Sequence, residues 1–207
     1  MLENYRRLHN GIIQQMVYNI VNYNESYAKD RYDSYGELSN YMSFLRYGYI
    51  KGLVNFNSIL DIGYGNGDFL DVCKRTTRCY GHDISGYPIP EGCVFLDFNE
   101  CLEIPIDVVT FFDSLEHFED IEFVKKLNTK FVVISVPECH YFSDEWFKEW
   151  KHRRPDEHLY HFNKESLKDF MLEMGFELVQ FSNVEDIIRD NGHAYSNILT
   201  GFFKNNK

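Results

Sequence analysis

Residues 58–70, which read SILDIGYGNGDFL, constrain the fold more than any other stretch of the chain. A short apolar run leads into Asp61, and a tight loop follows with glycines at positions 63, 65 and 67. Glycine permits positive φ angles and lets a ligand approach the main chain closely. The stretch therefore predicts a buried strand, a glycine-rich turn and a helix N-terminus, an arrangement suited to holding a small ligand.

Strand and helix patterns alternate after this turn, which predicts a parallel sheet with helical crossovers. The fold class is α/β, with a seven-stranded and mostly parallel sheet, helices on both faces and an antiparallel last strand. We predict strands at 58–62, 78–83, 93–97, 107–112, 131–136, 176–181 and 197–203, and helices at 67–76, 115–127 and 164–174.

The residues before the first predicted strand carry helical patterns. Apolar side chains at helical spacing predict an amphipathic helix over 3–24 and a second helix over about 37–53, with turn-forming residues between them. No linker composition separates them from the rest. We therefore predict that residues 1–56 form a helical cap belonging to the same domain as a core at 57–207.

Two connections in the predicted sheet are short. Residues 84–92 and 98–106 contain nine residues each and include proline, whereas a parallel crossover usually needs about a dozen residues and a helix. We predict shortened crossovers there, without a proper helix. The exposed sheet face needs cover, either from the amino-terminal helices or from a second copy of the chain in a homodimer.

Composition limits the partners. The net charge of −11 disfavours a nucleic acid, because such binding relies on Lys and Arg neutralising phosphates. No apolar run reaches the roughly 20 residues that span a bilayer, and the amino terminus does not resemble a secretory signal. Five cysteines lack a CxxC spacing, which favours reduced thiols and a cytoplasmic location.

The glycine loop allows two ligand classes. Dinucleotide-binding folds use G-x-G-x-x-G, but here the spacing is G-x-G-x-G, and Asp61 stands two residues before the first glycine. Its charge would repel a pyrophosphate and would suit a ligand with an ammonium group. Asp83 follows Asp61 by 22 residues, which is where such folds bind ribose hydroxyls. A nicotinamide-dependent oxidoreductase on a similar fold stays open as the alternative.

The pattern D-x-G-x-G-x-G at 61–67 resembles the cofactor loop of Rossmann-like S-adenosylmethionine-dependent methyltransferases. Three further segments resemble that family in the expected order: the acid ending the second strand, Asp107 to His117, and residues 157–178. The resemblance covers roughly residues 57–203 and is closest to small-molecule methyltransferases such as quinone and sugar O-methyltransferases. It implies a Rossmann-like fold and S-adenosylmethionine as the cofactor.

The resemblance also implies a set of cofactor-binding positions. The glycine loop would hold the cofactor. The end of the second strand would bind its ribose and one face of its adenine, and the end of the third strand would bind the adenine amino group and ring. The end of the fourth strand would line its methionine half. These positions are Asp61, Gly63, Tyr64, Gly65, Gly67, Asp83, Ile84, Asp97, Phe98, Phe112 and Asp113.

A general base is needed if the methyl acceptor is a hydroxyl. His117 is the first candidate, because it begins the segment after the fourth strand, and His140 is the second; a structural role is the alternative for His117. A carbon or amine acceptor would not require a base.

Residues 138–162 are rich in aromatic side chains and predict a lid over the acceptor pocket. Their basic cluster at 151–154 either binds an anionic group of the acceptor or forms a solvated turn. The histidines of this segment lack a recognised zinc spacing, so the sequence predicts no metal site.

Tyrosines of the amino-terminal region, together with Arg46, form a further hypothetical part of the site. An arginine can pair with the methionine carboxylate, and tyrosine rings suit a sulfonium; packing in the core is the alternative. The tyrosines concerned are Tyr23, Tyr27, Tyr32 and Tyr35.

The sequence thus predicts an S-adenosylmethionine-dependent methyltransferase that acts on a small molecule or a sugar, by O-methylation. Two alternatives remain beside it: the nicotinamide-dependent oxidoreductase, and a catalytically silent subunit that binds the cofactor and partners an active enzyme. RNA methylation would need a basic face that this acidic chain does not offer.

Overall fold

The amino-terminal residues form a β-hairpin in the computed structural model, which describes residues 2–19, 21, 36–189 and 192–206. Strand β1 (Tyr5–Arg7) pairs antiparallel with β2 (Ile13–Gln15). The helix predicted over 3–24 is therefore wrong for this part. Gly11, at φ +87°, makes the turn. Gln15 is buried, and its amide is satisfied because it donates to the carbonyl of Val17 at 2.7 Å and to Asp156 at 3.0 Å.

The first half of the main domain follows the predicted order. Helix α1 (Glu37–Leu53) has the predicted bounds. It is followed by β3 (Ser58–Ile62), α2 (Asp68–Cys73), β4 (Arg78–His82) and β5 (Val94–Phe95). The third strand of the core is thus only two residues long, against a predicted five.

The middle of the chain contains α3 (Phe98–Glu103), β6 (Ile106–Phe112) and β7 (Thr129–Pro137). The helix predicted over 115–127 is wrong: two short 3-10 helices, Leu115–His117 and Glu122–Lys126, stand there instead. The Asp120 side chain accepts a hydrogen bond from the main-chain N–H of residue 122 at 2.8 Å. Such a local turn competes with a continuous α-helix.

The last third of the described chain completes both sheets. It contains α4 (Asp144–Glu149), β8 (Tyr160–His161), α5 (Lys164–Glu173), β9 (Phe176–Ser182), α6 (Asp186–Arg189) and β10 (Ile198–Asn205). Strand β8 pairs with β2, so the hairpin is anchored to the second half of the chain as a three-stranded sheet.

The main sheet has seven strands in the order β5-β4-β3-β6-β7-β10-β9. The strands from β5 to β7 are parallel, and β10 is antiparallel to both β7 and β9. This confirms the predicted α/β class with an antiparallel last strand. The strand order reverses between β3 and β6, and a ligand crevice is expected at the carboxyl ends of the strands on either side of that point.

The crossovers around β5 are shortened, as predicted. The connection between β4 and β5 contains no helix among its residues, all of which are described. The next connection does contain a helix, the six-residue α3, contrary to the expectation that residues 98–106 would lack one. Its reciprocal capping box, formed by Asp97 and Glu100, stabilises so short a helix.

The core lies on both faces of the main sheet, because neighbouring strand residues point to opposite sides. On one face α1 and α2 pack against β3 and β6 through Ile50 and Phe69. On the other face α3, the 3-10 segments and α5 pack together with Ile12 of the hairpin. At the β5 edge, Val94 and Phe95 remain about half exposed, so a second subunit covering this edge stays a prediction.

Candidate functional site

A cavity of about 580 Å³ opens at the carboxyl ends of β3, β4 and β6. Most of the predicted site residues border it, and four of them do not: Gly67, Asp97, Phe98 and His140. The predicted residues that line it are Asp61, Gly63, Tyr64, Gly65, Asp83, Ile84, Phe112, Asp113 and His117.

The glycine turn after β3 forms the floor of the cavity. Gly63 and Gly65 have φ angles of +86° and +58°, a region that other residues rarely adopt. The N–H of Gly63 donates to the carbonyl of His82 at 2.7 Å, which ties the turn to β4. A side chain on Gly67 would collide with Pro90 at 2.6 Å. Gly67 is therefore required by packing rather than by the cavity.

Tyr64 contributes its main chain rather than its hydroxyl to the cavity. Its side chain is buried, and its hydroxyl donates to the carbonyl of Tyr87. Burial, followed by the charge of Asp83, raises the pKa of Tyr64 to about 12. The phenol stays protonated at neutral pH, and the hydrogen-bonded side chain supports the turn.

Asp61 is the buried acid at the entrance to the glycine turn. It is only 2% exposed, and Oδ1 accepts a hydrogen bond from Thr110 Oγ1 at 2.7 Å. Burial raises its pKa to about 7, although the Thr110 hydrogen bond and Arg46 act in the opposite direction. A cationic group in the cavity would favour the ionised form of this carboxyl.

Asp83 and Ile84 lie at the end of β4 beside the turn. Oδ2 of Asp83 accepts from the N–H of Gly65 at 2.9 Å, and Oδ1 accepts from the N–H of Ser85 at 2.8 Å. These bonds fix the carboxylate at the cavity edge. The Ile84 side chain is 69% exposed and lines the same cavity, so it presents an apolar surface to a planar ligand.

Asp97 and Phe98 do not border the cavity, contrary to the expectation from the sequence. Asp97 accepts from the N–H of Glu100 at 2.9 Å and caps α3. The Phe98 ring packs 5.8 Å from the ring of Phe118 and 5.0 Å from that of Phe123. The reason is that β5 ends two residues before Asp97, and the chain then turns into a helix.

His140 also lies outside the cavity, contrary to the expectation that it would stand beside the acceptor as a base. Its Nε2 lies 2.8 Å from the carbonyl oxygen of Ser196, and its ring stacks on Phe142 with centroids 5.5 Å apart. The tryptophans of the predicted lid do not border the cavity either. Trp146 and Trp150 stack on each other, 5.3 Å apart, beside the buried Phe147.

A partly buried network of two arginines and two carboxylates closes one wall. Arg46 of α1 binds Glu185 through two bonds of 2.8 and 2.9 Å and Asp113 at 3.1 Å. Arg189 of α6 binds Asp113 at 2.7 Å and Glu185 at 3.1 Å. Burial alone would raise the pKa values of both acids, but the arginines hold them below their usual range.

This network was not predicted from the sequence. Arg46 was expected to meet a methionine carboxylate, yet it is engaged by protein carboxylates and lies over the Phe112 ring at 4.2 Å. No sequence signal identifies Glu185 or Arg189 as its partners, because they come from a connection more than 130 residues further on. The four tyrosines grouped with Arg46 lie outside the described residues.

The imidazole rings of His117 and His158 lie against each other in the wall of the cavity. Their ring centroids are 4.7 Å apart in an edge-to-face arrangement. The N–H of Leu159 donates to the carbonyl of Glu116 at 2.8 Å, which joins the two segments. Burial, followed by the charge of His117, holds the pKa of His158 well below its ordinary value. His158 is therefore neutral at physiological pH, and sequence reasoning gave it no role.

Two residues of the basic cluster also reach the cavity. His152 and Arg154 line it. His152 bonds to Asn197 at 2.9 Å, and burial lowers its pKa to about 4. Arg154 adopts a positive φ of +34° and pairs with Glu157. One permanent cation of this cluster, Arg154, therefore borders the cavity.

Solved structures of similar fold are methyltransferases. The methyltransferase from Haloferax volcanii in complex with the Trm112 methyltransferase activator has a TM-score of 0.65 and 12% identity, covering 91% of this chain and 100% of that chain. Magnesium protoporphyrin IX methyltransferase from Synechocystis, with bound SAH, has a TM-score of 0.60 and 14% identity, covering 87% and 95%. A SAM-dependent methyltransferase from Archaeoglobus fulgidus has a TM-score of 0.59 and 20% identity, covering 84% and 99%.

The sheet order and the acidic glycine turn match the Rossmann-like fold of these solved structures. The chain belongs to the methyltransferase-domain family, whose model matches residues 27–181. This membership decides for methyl transfer over the nicotinamide alternative. A comparison with curated proteins finds no significant match. Within the described residues, no helix is long and apolar enough to cross a membrane.

Proposed function

We propose that this methyltransferase transfers the methyl group of S-adenosylmethionine to an oxygen of a small molecule or a sugar. The observation that carries the proposal is that one cavity of about 580 Å³ is bordered both by the glycine turn and by His117 and His158. Volumes of this size are typical of small-ligand sites.

In this proposal the cofactor occupies the half of the cavity above the glycine turn. The Asp83 carboxylate accepts hydrogen bonds from the ribose hydroxyls, and Ile84 packs on the adenine. The ionised carboxylate of Asp61 attracts the ammonium group of the cofactor's methionine half. The main chain of Gly63 and Gly65 leaves room for the ligand to approach.

The acceptor occupies the half that follows β6. A β-carbon built on Gly63 would lie 2.4 Å from Cβ of Ser114, so the segment leading to His117 runs directly against the cofactor turn. His117 borders the same cavity as this turn, and in the proposal it removes the proton of the acceptor hydroxyl. Holding nucleophile, methyl and sulfur in line supplies most of the remaining rate acceleration.

The charges of the cavity favour an acceptor with an anionic group. Arg154 borders the acceptor half with a side chain that is 27% exposed. A phosphate or carboxylate on the acceptor would compete with Glu157 for its guanidinium. The net charge of −11 weighs against a nucleic acid as the acceptor.

We also propose the cellular compartment of the enzyme and its association with a second copy of the chain. The five cysteines are all free thiols in the structure, which supports a reducing compartment, the cytoplasm. A second copy of the chain is proposed to cover the half-exposed edge at Val94 and Phe95.

Calorimetry followed by an acceptor screen tests the proposal. We expect the chain to bind S-adenosylhomocysteine and not NAD. Small phenols, hydroxy acids and phosphorylated sugars are then incubated with S-adenosylmethionine, and methylated products are detected by mass spectrometry. His117→Gln should reduce turnover while leaving S-adenosylhomocysteine affinity intact, and His140→Gln serves as the matched control outside the cavity.

The screen also separates the silent-subunit alternative. Binding of S-adenosylhomocysteine without turnover of any acceptor would support a silent subunit. Failure to bind S-adenosylhomocysteine at all would refute the proposed cofactor site. Equal turnover losses in His117→Gln and His140→Gln would refute the role given to His117.

A further inference from the structure

Three side chains at the acceptor end of the cavity bring metal-ligating atoms together. Glu116, His117 and His158 each offer one such atom, and all three atoms lie within 4.8 Å of one another. Glu116 and His158 are buried, while His117 is half-buried, and the two histidines border the cavity. We propose that these three residues bind a divalent transition metal ion, such as Zn²⁺, Mn²⁺ or Co²⁺.

The spacing of the three atoms is close to that of a formed site. An ion at the centre of three atoms 4.8 Å apart would lie about 2.8 Å from each, whereas Zn–N and Zn–O bonds are about 2.0–2.2 Å long. Movements of less than about 1 Å per side chain close this gap. Such movements lie within ordinary rotamer adjustment at the cavity wall.

The backbone holds the two contributing segments in register. His158 comes from a segment 41 residues after His117, yet the N–H of Leu159 donates to the carbonyl of Glu116 at 2.8 Å. A second bond, from the N–H of His158 to the carbonyl of Arg154 at 3.0 Å, fixes the turn before it. The ligands are therefore pre-positioned by main-chain hydrogen bonds rather than by side-chain contacts alone.

The donor set selects the kind of ion. Two imidazoles and one carboxylate suit zinc, manganese, cobalt or ferrous iron, whereas Mg²⁺ and Ca²⁺ prefer oxygen ligands throughout. Three protein ligands leave at least one coordination position open, which is the arrangement of catalytic rather than structural sites. His117 and His158 border the cavity, so an ion held by them would lie at its wall.

The role of this ion in catalysis rests on the proposed function. An acceptor hydroxyl bound at the open position loses its proton to water more easily, because the cation stabilises the alkoxide or phenoxide. The oxygen then forms a bond to the methyl carbon as the carbon–sulfur bond breaks, leaving neutral S-adenosylhomocysteine. With the ion bound, His117 would act as its ligand instead of as the base given under the proposed function, and the proton would pass to solvent.

The sequence-based prediction of no metal site considered only the four histidines of residues 138–162. Glu116 and His117 come from another segment, directly after β6, and join just one of those four. The spacing along the chain therefore could not reveal the group, because its members meet only in the folded protein.

Metal retention by the full chain tests the site without reference to turnover. The protein is stripped with a chelator, loaded with Zn²⁺, Mn²⁺ or Co²⁺, dialysed and analysed for bound metal, and the Co²⁺ form is examined by visible absorption. We expect one equivalent of bound ion. His158→Gln and Glu116→Gln should weaken binding by at least about tenfold, and His140→Gln should not change it.

His117→Gln provides a second variant at the half-buried ligand, where substitution is less disruptive to folding. Calorimetry with S-adenosylhomocysteine verifies that each variant keeps its cofactor site. The proposal is overturned if the wild-type chain retains none of the three ions, or if the ligand variants retain as much as His140→Gln. A wild-type chain that binds metal but not S-adenosylhomocysteine would refute the proposed function and leave the metal site standing.

Discussion

Replacing Asp61 by Asn should stabilise the ligand-free protein while weakening its cofactor site. Asp61 is buried, and its pKa rises from an ordinary 3.8 to about 7, mainly through burial. The folded chain therefore holds a proton that the unfolded chain releases between these pH values. Stability falls as pH rises from 4 to 7, because keeping this carboxyl protonated in the fold becomes progressively costly.

The magnitude follows from the two pKa values. Each pH unit between them corresponds to 1.36 kcal/mol, so the full cost above pH 7 is about 4 kcal/mol. Between pH 5 and pH 8 the Asp61 contribution changes by roughly 2–3 kcal/mol. Asn is neutral throughout and keeps an oxygen to accept the Thr110 hydrogen bond. The stability gain in Asp61→Asn should therefore grow by that amount between pH 5 and pH 8.

Urea unfolding at the two pH values measures this gain, and thermal unfolding should move by about 5–10 °C more at pH 8 than at pH 5. S-adenosylhomocysteine affinity at pH 8 should fall at least about tenfold, because the ammonium group loses its anionic partner. A stability gain that is the same at both pH values would refute the assignment of the raised pKa. Unchanged cofactor affinity would refute the role of Asp61 in binding.

Three further predictions concern residues placed by the structure. Asp97→Asn should leave S-adenosylhomocysteine affinity unchanged in calorimetry, because Asp97 caps α3, whereas Asp83→Ala should weaken it at least about tenfold through lost charge-assisted hydrogen bonds; equal losses would contradict the geometry. Arg46→Met should lower the unfolding free energy by about 3–5 kcal/mol, because Glu185 is left buried without its main partner; the double variant with Glu185→Leu should recover part of that loss in denaturant titrations, and no recovery would argue against the pairing. Gly63→Ala should reduce thermal stability and cofactor affinity, because φ is +86° and the new methyl would lie 2.4 Å from a neighbouring side chain; a variant as stable as wild type would show that this contact can relax.

The elements of the fold that depend on local sequence patterns were predictable from the sequence. Strand β3 and helix α1 have the predicted bounds, because an unbroken apolar run and a clear helical period leave little choice. Asp61 and Asp83 border the cavity for a similar reason, since each lies at the carboxyl end of a strand beside the expected ligand crevice.

The errors arose where two local readings compete or where partners are distant. Apolar residues at 5, 8, 12, 13 and 16 fit a helix, yet a glycine turn at Gly11 and pairing with β8 favour the hairpin. The resemblance assigned Asp97, at the end of a predicted strand, to the site, and His140 was a candidate because it follows a strand, but neither borders the cavity. Glu185 could not be assigned, because only the folded chain brings it to Arg46.

The insertion of β10 between β7 and β9 has a consequence for how the protein is made. During translation β7 and β9 leave the ribosome before β10. Until β10 arrives, β7 is paired on one side only and β9 has no partner in the sheet. The nascent chain therefore exposes two strand edges at a stage when such edges are prone to aggregation. The connection that carries Glu185 also waits for β10, so one wall of the cavity is assembled last. Cofactor binding can therefore stabilise only a nearly complete chain. We expect chaperones to shield the exposed strand edges before that stage.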